Sequence, residues 1–302
     1  MKKSDSKEAI FGMSGYSPGF FASPLGKKRE NLFKWTKEFG IDAVEYNCTY
    51  GVKMNEEQAI LYKRLAEEND IYLSIHAAYY INLASQKPQT VELSKNEIRK
   101  SFKLAETLGV ERIIFHPGGG YGTDREAGIQ RIIDILNELE KELNTKDIKI
   151  YPEIGGKINS LGTLDEIIRI CKNVKYARPC IDFAHLHARE LGSMNSPEKF
   201  VEVMKKIEKE LGRDILEETH FHVYPVDYTK AGEKVHKVFG EKKEVSDQVS
   251  LFDEESEEYM PRAEDYIKAL KIMNLKPITI CEAHNTQDIG AKLLKEIYYN
   301  NI

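Results

Sequence analysis

The stretch Tyr72-Leu73-Ser74-Ile75-His76 is a short β-rich run, and an amphipathic helical pattern at residues 95–108 separates it from the next run, Arg112 to His116. This alternation continues in both directions along the 302 residues. The other β-rich runs lie at 10–15, 43–46, 149–153, 178–182, 220–223 and 277–282. The other helical patterns lie at 28–39, 56–69, 126–143, 164–172, 197–211, 263–273 and 287–299. Eight strand–helix units predict an α/β fold, a closed (β/α)8 or TIM barrel.

A closed barrel places its active site at the carboxyl ends of the strands. A doubly wound open sheet is the alternative, because the number of strands does not prove closure. No Pro/Gly-rich linker interrupts the pattern, so residues 1–302 are predicted to form a single domain. A long loop insertion is predicted at about residues 224–261, after the seventh strand.

Composition excludes several classes of function. The 44 Lys and Arg residues against 49 Asp and Glu give a net charge of −5, which is too acidic to hold nucleic acid by bulk charge. A polyanionic partner would need a local positive source, such as bound divalent metals. Two stretches are rich in glycine, Gly118-Gly119-Gly120 and Gly155-Gly156-Lys157. Neither matches a phosphate-binding loop, so no nucleotide cofactor is expected.

The cellular setting is predicted from cysteine usage and hydropathy. The four cysteines form no CxxC pair, and the first residues do not resemble a secretory segment. No apolar run approaches the roughly 20 residues that cross a bilayer. We therefore expect a cytoplasmic protein with no membrane partner, and we expect it to be a monomer.

Histidines and carboxylates gather at the predicted mouth of the barrel. The eight histidines, which we place at or just beyond the carboxyl end of a strand, are His76, His116, His185, His187, His220, His222, His236 and His284. Glu153, Asp182 and Glu282 end strands five, six and eight. A single histidine at a strand end is more often a hydrogen-bonded structural residue, so only several such residues meeting from different strands indicate a functional site. The residues that come from six different strands are His76, His116, Glu153, Asp182, His222 and Glu282.

Burying so many polar groups together without partners would be costly, which favours a metal centre. Zinc and manganese accept imidazole nitrogen and carboxylate oxygen in the same coordination shell. His222 is preferred to His220 because it lies closer to the mouth, and His185 follows Asp182 closely enough to join the site. His187 and His284 lie further out, as supporting or surface residues, and composition alone does not decide the role of His236 in the long loop.

Several short motifs on strands three to eight resemble one family. They are His76-Ala77-Ala78-Tyr79, Ile81-Asn82-Leu83, Phe115-His116-Pro117-Gly118, Pro152-Glu153, Cys180-Ile181-Asp182-Phe183-Ala184-His185, Phe221-His222-Val223 and Cys281-Glu282. Together they resemble the endonuclease IV family of apurinic/apyrimidinic endonucleases, within the xylose isomerase-like barrels. The resemblance implies a zinc-dependent enzyme of base excision DNA repair, in which a metal-bound hydroxide attacks the phosphodiester 5′ to an abasic site.

The resemblance also implies a ligand set for two or three zinc ions, with manganese as the other metal considered. The first metal position would be held by His76, His116 and Glu153, the second by Glu153, Asp182, His222 and Glu282, and the third by His185 and His236. Glu153 and Glu282 are the catalytic candidates, and Tyr79 and Asn82 are the candidates for contact with DNA containing an abasic site.

Two departures from the family pattern affect these expectations. Lys234 stands where the family has an aspartate two residues before its loop histidine. The third metal is therefore expected to bind weakly, with oxygen from water, Glu233, Asp227 or the substrate phosphate, and Lys234→Asp is expected to strengthen it. The loop after strand two, Tyr50 to Met54, is short, whereas the family's loop wedges into DNA.

Two other functions remain open. A sugar isomerase or epimerase on the same barrel would bind one metal ion through Glu153, Asp182, His222 and Glu282. That reading leaves His76, His116, His185 and His236 without a role, which favours the nuclease. A binding module that holds metal but has lost catalysis is the third reading, because of Lys234 and the short loop.

Overall fold

A computed structural model describes residues 8–119, 124–243 and 257–300. Eight parallel strands form one sheet in the order β5-β4-β3-β2-β1-β10-β7-β6. These strands are β1 (Ile10–Ser14), β2 (Ala43–Asn47), β3 (Tyr72–His76), β4 (Arg112–Phe115), β5 (Lys149–Pro152), β6 (Cys180–Asp182), β7 (His220–His222) and β10 (Ile278–Cys281). A separate antiparallel pair consists of β8 (Val226–Thr229) and β9 (Gly232–His236).

The two ends of the sheet order, β5 and β6, meet through isolated parallel bridges. Ile150 pairs with Ala177, and Glu153 pairs with Cys180. The N–H of Arg178 donates to the carbonyl oxygen of Ile150 at 2.9 Å. The sheet therefore curls round on itself, which confirms the predicted (β/α)8 barrel and not the doubly wound sheet.

Helices connect the strands and cover the outside of the barrel. They are α1 (Pro18–Ala22), α2 (Leu32–Phe39), α3 (Glu56–Glu68), α4 (Pro88–Leu108), α5 (Arg125–Leu139), α6 (Leu164–Asn173), α7 (Phe183–Arg189), α8 (Pro197–Leu211), α9 (Arg213–Glu218), α10 (Ala263–Ile272) and α11 (Gln287–Asn300). Helix α4 begins seven residues before the predicted start, because Pro88 occupies its first turn, where a proline has no hydrogen bond to lose.

The predicted irregular insertion contains the hairpin β8–β9. Gly232 opens β9 with φ of 96°, a conformation that favours glycine, and this lets the chain reverse after Thr229. The hairpin packs against α7. Residues 244–256 of the insertion lie outside the described residues.

Side chains alternate between the two faces of the barrel wall. Those pointing outward, such as Phe11, Val44 and Ile113, pack under the helices in the main core. Those pointing inward form separate small apolar clusters, one of which includes Ile10, Ala43 and Tyr72. The inward-facing side chains become polar towards the carboxyl ends of the strands.

None of the helices in the described ranges combines the length and the apolar character that a membrane span requires.

Candidate metal centre

The predicted ligands of the first two metal positions stand at the carboxyl ends of six strands. His76, Asp182 and His222 are the last residues of β3, β6 and β7. His116, Glu153 and Glu282 directly follow β4, β5 and β10. The parallel direction of the strands brings all of them to one mouth.

Glu153 lies at the centre of this mouth and is completely buried. Its Oε2 is 3.0 Å from Nε2 of His76 and 3.1 Å from Nδ1 of His116. Its Oε1 is 3.0 Å from Nδ1 of His222. The two oxygens thus face two different groups of histidines, which is the geometry required of a carboxylate that bridges two metal positions.

The second group gathers around Nδ1 of His222. The nearest Asp182 oxygen is 3.8 Å away and the nearest Glu282 oxygen is 3.9 Å away. The hydroxyl of the buried Tyr224 donates a hydrogen bond to Asp182 at 2.9 Å, which holds that carboxylate in place. Sequence reasoning missed Tyr224, although it stands two residues beyond His222.

The third group consists of His185, Glu233 and His236. Nε2 of His185 is 3.3 Å from Oε2 of Glu233, and Nε2 of His236 is 3.1 Å from Oε1 of Glu233. The Nδ1 atom of His185 lies 2.9 Å from the carbonyl oxygen of Ile154, so a proton there leaves Nε2 free to bind a metal. Glu233 therefore completes the group with a carboxylate.

Lys234 does not stand at a ligand position, because this side chain faces away from the mouth, whereas Glu233, one of the oxygen sources expected for the third metal, belongs to the third group. The strength of the third metal position stays a prediction. Nζ of Lys234 is 2.8 Å from Oδ2 of Asp227, and 60% of the side chain is exposed. The N–H of Glu233 donates to the carbonyl oxygen of Gly156 at 3.1 Å, which pins β9 to the loop after β5. A Cβ at Gly156 would lie 2.5 Å from Oε2 of Glu233, so glycine is needed for this approach.

The remaining histidines have other surroundings. His187 is buried within α7, and its Nδ1 accepts a hydrogen bond from the N–H of Met194, which corrects the surface placement. His284 is exposed. His220 is the first residue of β7 and lies below the mouth, which corrects its placement at a strand end. Its neighbour there is Glu45, a buried residue that the sequence analysis did not select.

The electrostatics of the mouth depend on charges that compensate one another. Burial opposes ionisation of Glu153, yet the surrounding histidines hold the pKa of its carboxyl well below the usual range. Burial also opposes protonation of His76, but the hydrogen bond to Glu153 raises the pKa of its imidazole to about 9. Burial raises the pKa of Asp182 to about 6. Without a cation, protons on histidines balance the carboxylates.

The donor set fits divalent metal ions. The groups His76–His116–Glu153, Glu153–Asp182–His222–Glu282 and His185–Glu233–His236 each bring their ligand atoms within 4.8 Å of one another. All the donors are imidazole nitrogens or carboxylate oxygens, which zinc and manganese accept. The first two groups share Glu153, so the metal positions adjoin.

A cavity of about 540 Å³ opens beside these groups. Its lining includes Tyr79, Asn82 and Lys157 together with His116, His185, Glu233, His236 and Glu282. Oδ1 of Asn82 is buried and has no hydrogen-bond partner among the described residues. Beside the cavity, the rings of Tyr50 and Tyr79 pack edge to face with centroids 5.7 Å apart, and both side chains are more than half exposed.

The comparison with protein families covers nearly the whole barrel. The family described as the xylose isomerase-like TIM barrel matches residues 33–297. The chain belongs to this family. An uncharacterized protein of Methanocaldococcus jannaschii is 32% identical over 266 residues, which cover 86% of this chain and 88% of that protein.

Relatives found by sequence include probable endonuclease 4 proteins. A probable endonuclease 4 of Staphylococcus carnosus is 32% identical over 152 residues, or 48% of this chain and 50% of that protein. The chain thus matches about half the length of this relative. The resemblance to the endonuclease IV family is confirmed.

Solved structures of a nuclease and of an epimerase share the fold of this chain. Endonuclease IV from Thermus thermophilus superposes with a TM-score of 0.65 at 14% identity, covering 98% of this chain and 100% of that chain. A D-psicose 3-epimerase from Clostridium cellulolyticum superposes with a TM-score of 0.63 at 12% identity, covering 95% and 98%. The fold alone does not distinguish these two activities.

Zinc affinity is expected to rise with pH up to about 9. His76 is protonated below its pKa of about 9 in the metal-free protein, whereas zinc binds the neutral imidazole. Each proton displaced makes the affinity rise about tenfold per pH unit in this range. Calorimetric titration between about pH 6 and 8, in buffers of different ionisation enthalpy, measures the proton release. An affinity independent of pH would contradict His76 as a ligand.

Glu233→Gln is expected to weaken one zinc position by more than about tenfold, because Glu233 is the only carboxylate in the group with His185 and His236. Lys234→Asp at the neighbouring position is the matched control and should change zinc affinity little, since Lys234 faces Asp227. Competition with a chromophoric chelator gives the stepwise affinities. Tighter binding in Lys234→Asp, with no effect of Glu233→Gln, would show that position 234, and not Glu233, faces the zinc position.

Proposed function

We propose that this protein is a zinc-dependent phosphodiesterase of the endonuclease IV type, which cleaves DNA 5′ to abasic sites in base excision repair in the cytoplasm. The observation that carries the proposal is the set of three adjoining ligand groups in one mouth, two of which share the buried Glu153. A cluster of this kind suits phosphoryl transfer, in which charge develops on several oxygens at once.

The sugar isomerase reading accounts for fewer of these residues. A single ion held by Glu153, Asp182, His222 and Glu282 would leave the group His185–Glu233–His236 without a role. His185 is buried and the other two are partly buried, and the group brings a carboxylate and two imidazoles together at the wall of the cavity, as a metal position requires. We therefore favour a multi-metal hydrolase over a one-metal epimerase.

Bound zinc would supply Lewis acidity and a water of lowered pKa at this mouth. The chain itself positions the reacting groups. Glu153 and Glu282 are the proposed catalytic carboxylates, since both belong to the second group and Glu282 also lines the cavity. The hydroxyl of Tyr224 keeps Asp182 oriented.

The walls of the cavity supply contacts for a sugar and a phosphate. Asn82 lines the cavity, and its side-chain amide is the type of group that hydrogen-bonds a deoxyribose hydroxyl. Lys157 lines the same cavity and carries a positive charge that suits a phosphate. These two side chains would orient the backbone of the substrate over the metal positions.

Tyr50 and Tyr79 form an exposed aromatic corner at the rim. Lys53 lies 5.6 Å from the ring of Tyr50, which places a cation beside the two rings. Aromatic faces stack on bases without sequence preference, and a damaged site exposes base faces at low cost. The short loop after β2 therefore still contributes Tyr50, whose ring is suited to stacking on a base at a lesion.

Purified protein is expected to cleave a duplex containing an abasic site but not an undamaged duplex, and a chelator should abolish the cleavage. Glu153→Gln should reduce the rate by more than about 100-fold, because changing even an outer partner of a metal ligand costs about 10–100-fold. Glu57→Gln on the exposed side of α3 is the matched control and should cleave normally. Epimerisation of a ketohexose with one manganese per chain, and no cleavage of DNA, would contradict the proposal.

Tyr50→Ala and Tyr79→Ala are each expected to weaken binding of an abasic duplex by about 1–3 kcal/mol, the usual value of stacking one base. Zinc content should not change, because neither side chain belongs to a ligand group. Tyr299→Ala is the matched control, since its hydroxyl bonds to Ala9 at the amino-terminal end of the barrel. Fluorescence anisotropy with labelled duplexes measures the affinities. Equal losses in all three variants would exclude a specific aromatic corner.

A further inference from the structure

A layer of buried polar side chains lies directly beneath the metal centre. Its members are Glu45 of β2, Ser74 of β3 and His220 of β7, and each is completely buried. Glu45 pairs with Ser74 in the sheet register, and His220 stands two residues before His222 on the same face. Barrel interiors at this depth are usually filled by branched apolar residues.

Glu45 contacts three polar groups. The hydroxyl of Ser74 donates to its Oε2 at 2.7 Å, and Nε2 of His220 is 3.1 Å from the same oxygen. Its Oε1 is 3.1 Å from Nε2 of His222. Since Nδ1 of His222 is 3.0 Å from Oε1 of Glu153, the imidazole of His222 stands between a carboxylate above and a carboxylate below.

This arrangement leaves hydrogen-bonding capacity unused. Oε1 of Glu45, Nε2 of His222 and both ring nitrogens of His220 are buried and make no well-aligned hydrogen bond to any described residue. A buried carboxylate with so few aligned donors costs stability, and an apolar residue would fill the same space without that cost. Glu45 is therefore better explained by what it does to His222 than by packing.

We propose that Glu45 is a positioning residue that keeps the proton of His222 on Nε2, so that Nδ1 presents its lone pair to the metal shared with Glu153, Asp182 and Glu282. The inference rests on the proposed metal centre and adds a residue to it. A neutral imidazole carries one hydrogen, and the carboxylate beside Nε2 favours the tautomer with the hydrogen there. The opposite tautomer would set a lone pair 3.1 Å from the Oε1 atom of Glu45.

The negative charge of Glu45 also strengthens His222 as a ligand. A carboxylate 3.1 Å from Nε2 increases the electron density at Nδ1, so the nitrogen binds a cation more tightly. The same contact restricts the rotation of the ring, because the carboxylate is itself held by Ser74. The competing explanation is that Glu45, His220 and His222 bind a further ion themselves, since their ligand atoms lie within 4.8 Å. That ion would require both nitrogens of His222 to lose their hydrogen.

The test combines zinc affinity with the tautomer of His222. Stepwise zinc affinities are measured with a chromophoric chelator in the full chain and in Glu45→Gln. One zinc position should become about 10–100-fold weaker, the usual effect of removing such a partner, while the other positions stay within about threefold. Glu97→Gln is the matched control, a buried glutamate of α4 that contacts Val52 and Lys100 outside the barrel interior, and it should leave every affinity unchanged. Glu45→Asp, which keeps the charge, should recover part of the loss.

The tautomer is read from long-range imidazole ¹H–¹⁵N NMR of the zinc-loaded protein, assigned by comparison with His222→Gln. A hydrogen on Nε2 and metal on Nδ1 is the expected pattern, and this measurement needs no Glu45 variant to fold. The opposite pattern, or unchanged affinity in Glu45→Gln, overturns the inference alone. Loss of a whole zinc equivalent in Glu45→Gln would show that Glu45 is itself a ligand, and this result also overturns the positioning role.

These outcomes are separable from the proposed function. If the protein binds zinc with the expected dependence on Glu45 but does not cleave an abasic duplex, the positioning role stands and the nuclease proposal fails. If the protein binds no zinc, both fail together.

Discussion

The buried carboxylate of Glu153 is the constraint on which the rest of the mouth depends. It is fully shielded from solvent and within 3.1 Å of imidazoles from three other strands. A buried carboxylate is stable only when positive charge or hydrogen bonds surround it. The histidines supply both, which explains why the pKa of Glu153 is held low while the pKa of His76 is raised. A divalent cation would replace these protons without changing the balance of charge.

The barrel supplies this carboxylate with its neighbours through a simple geometric rule. Every second residue of a strand points inward, and parallel strands end at the same side of the sheet. Closure between β5 and β6 brings Glu153 beside Cys180 and the end of β6, so that Asp182 and Glu153 reach the same centre. An open sheet would leave these two residues at opposite edges. Gly12 shows how closely the interior is packed, since a Cβ there would lie 2.4 Å from the carbonyl oxygen of Ala43.

Sequence periodicity predicted the eight barrel strands and most of the mouth, because both follow from the same inward alternation. It failed where position depends on tertiary contacts. Glu233 is turned inward by the hydrogen bond of its N–H to Gly156, a contact between segments far apart in the chain, so the sequence could name it only as one of several possible oxygen sources. Glu45 lies on the inward face of β2, but two residues below the mouth and without a histidine on its own strand. The alternation of side chains along β2 identifies Glu45 as inward-facing, but it does not identify Glu45 as a neighbour of His222.

Under the proposed function, an acidic chain has to bind a polyanionic substrate, and cations bound in the mouth would supply the attraction. The metal-free mouth gathers four carboxylates, Glu153, Asp182, Glu233 and Glu282, and protons on the histidines only balance them, so it offers a phosphate little net attraction. Two divalent ions balance these charges and three exceed them, so the sign of the local field depends on metal occupancy. Metal binding and phosphate binding are then linked, and each increases the affinity for the other by the same factor. On that proposal the rest of the surface need not be basic, because attraction to the substrate would be confined to the metal-loaded mouth. Such confinement would suit the proposed nuclease, which has to act at one lesion in a long polymer, since bulk basic charge would hold it equally well at every undamaged phosphate.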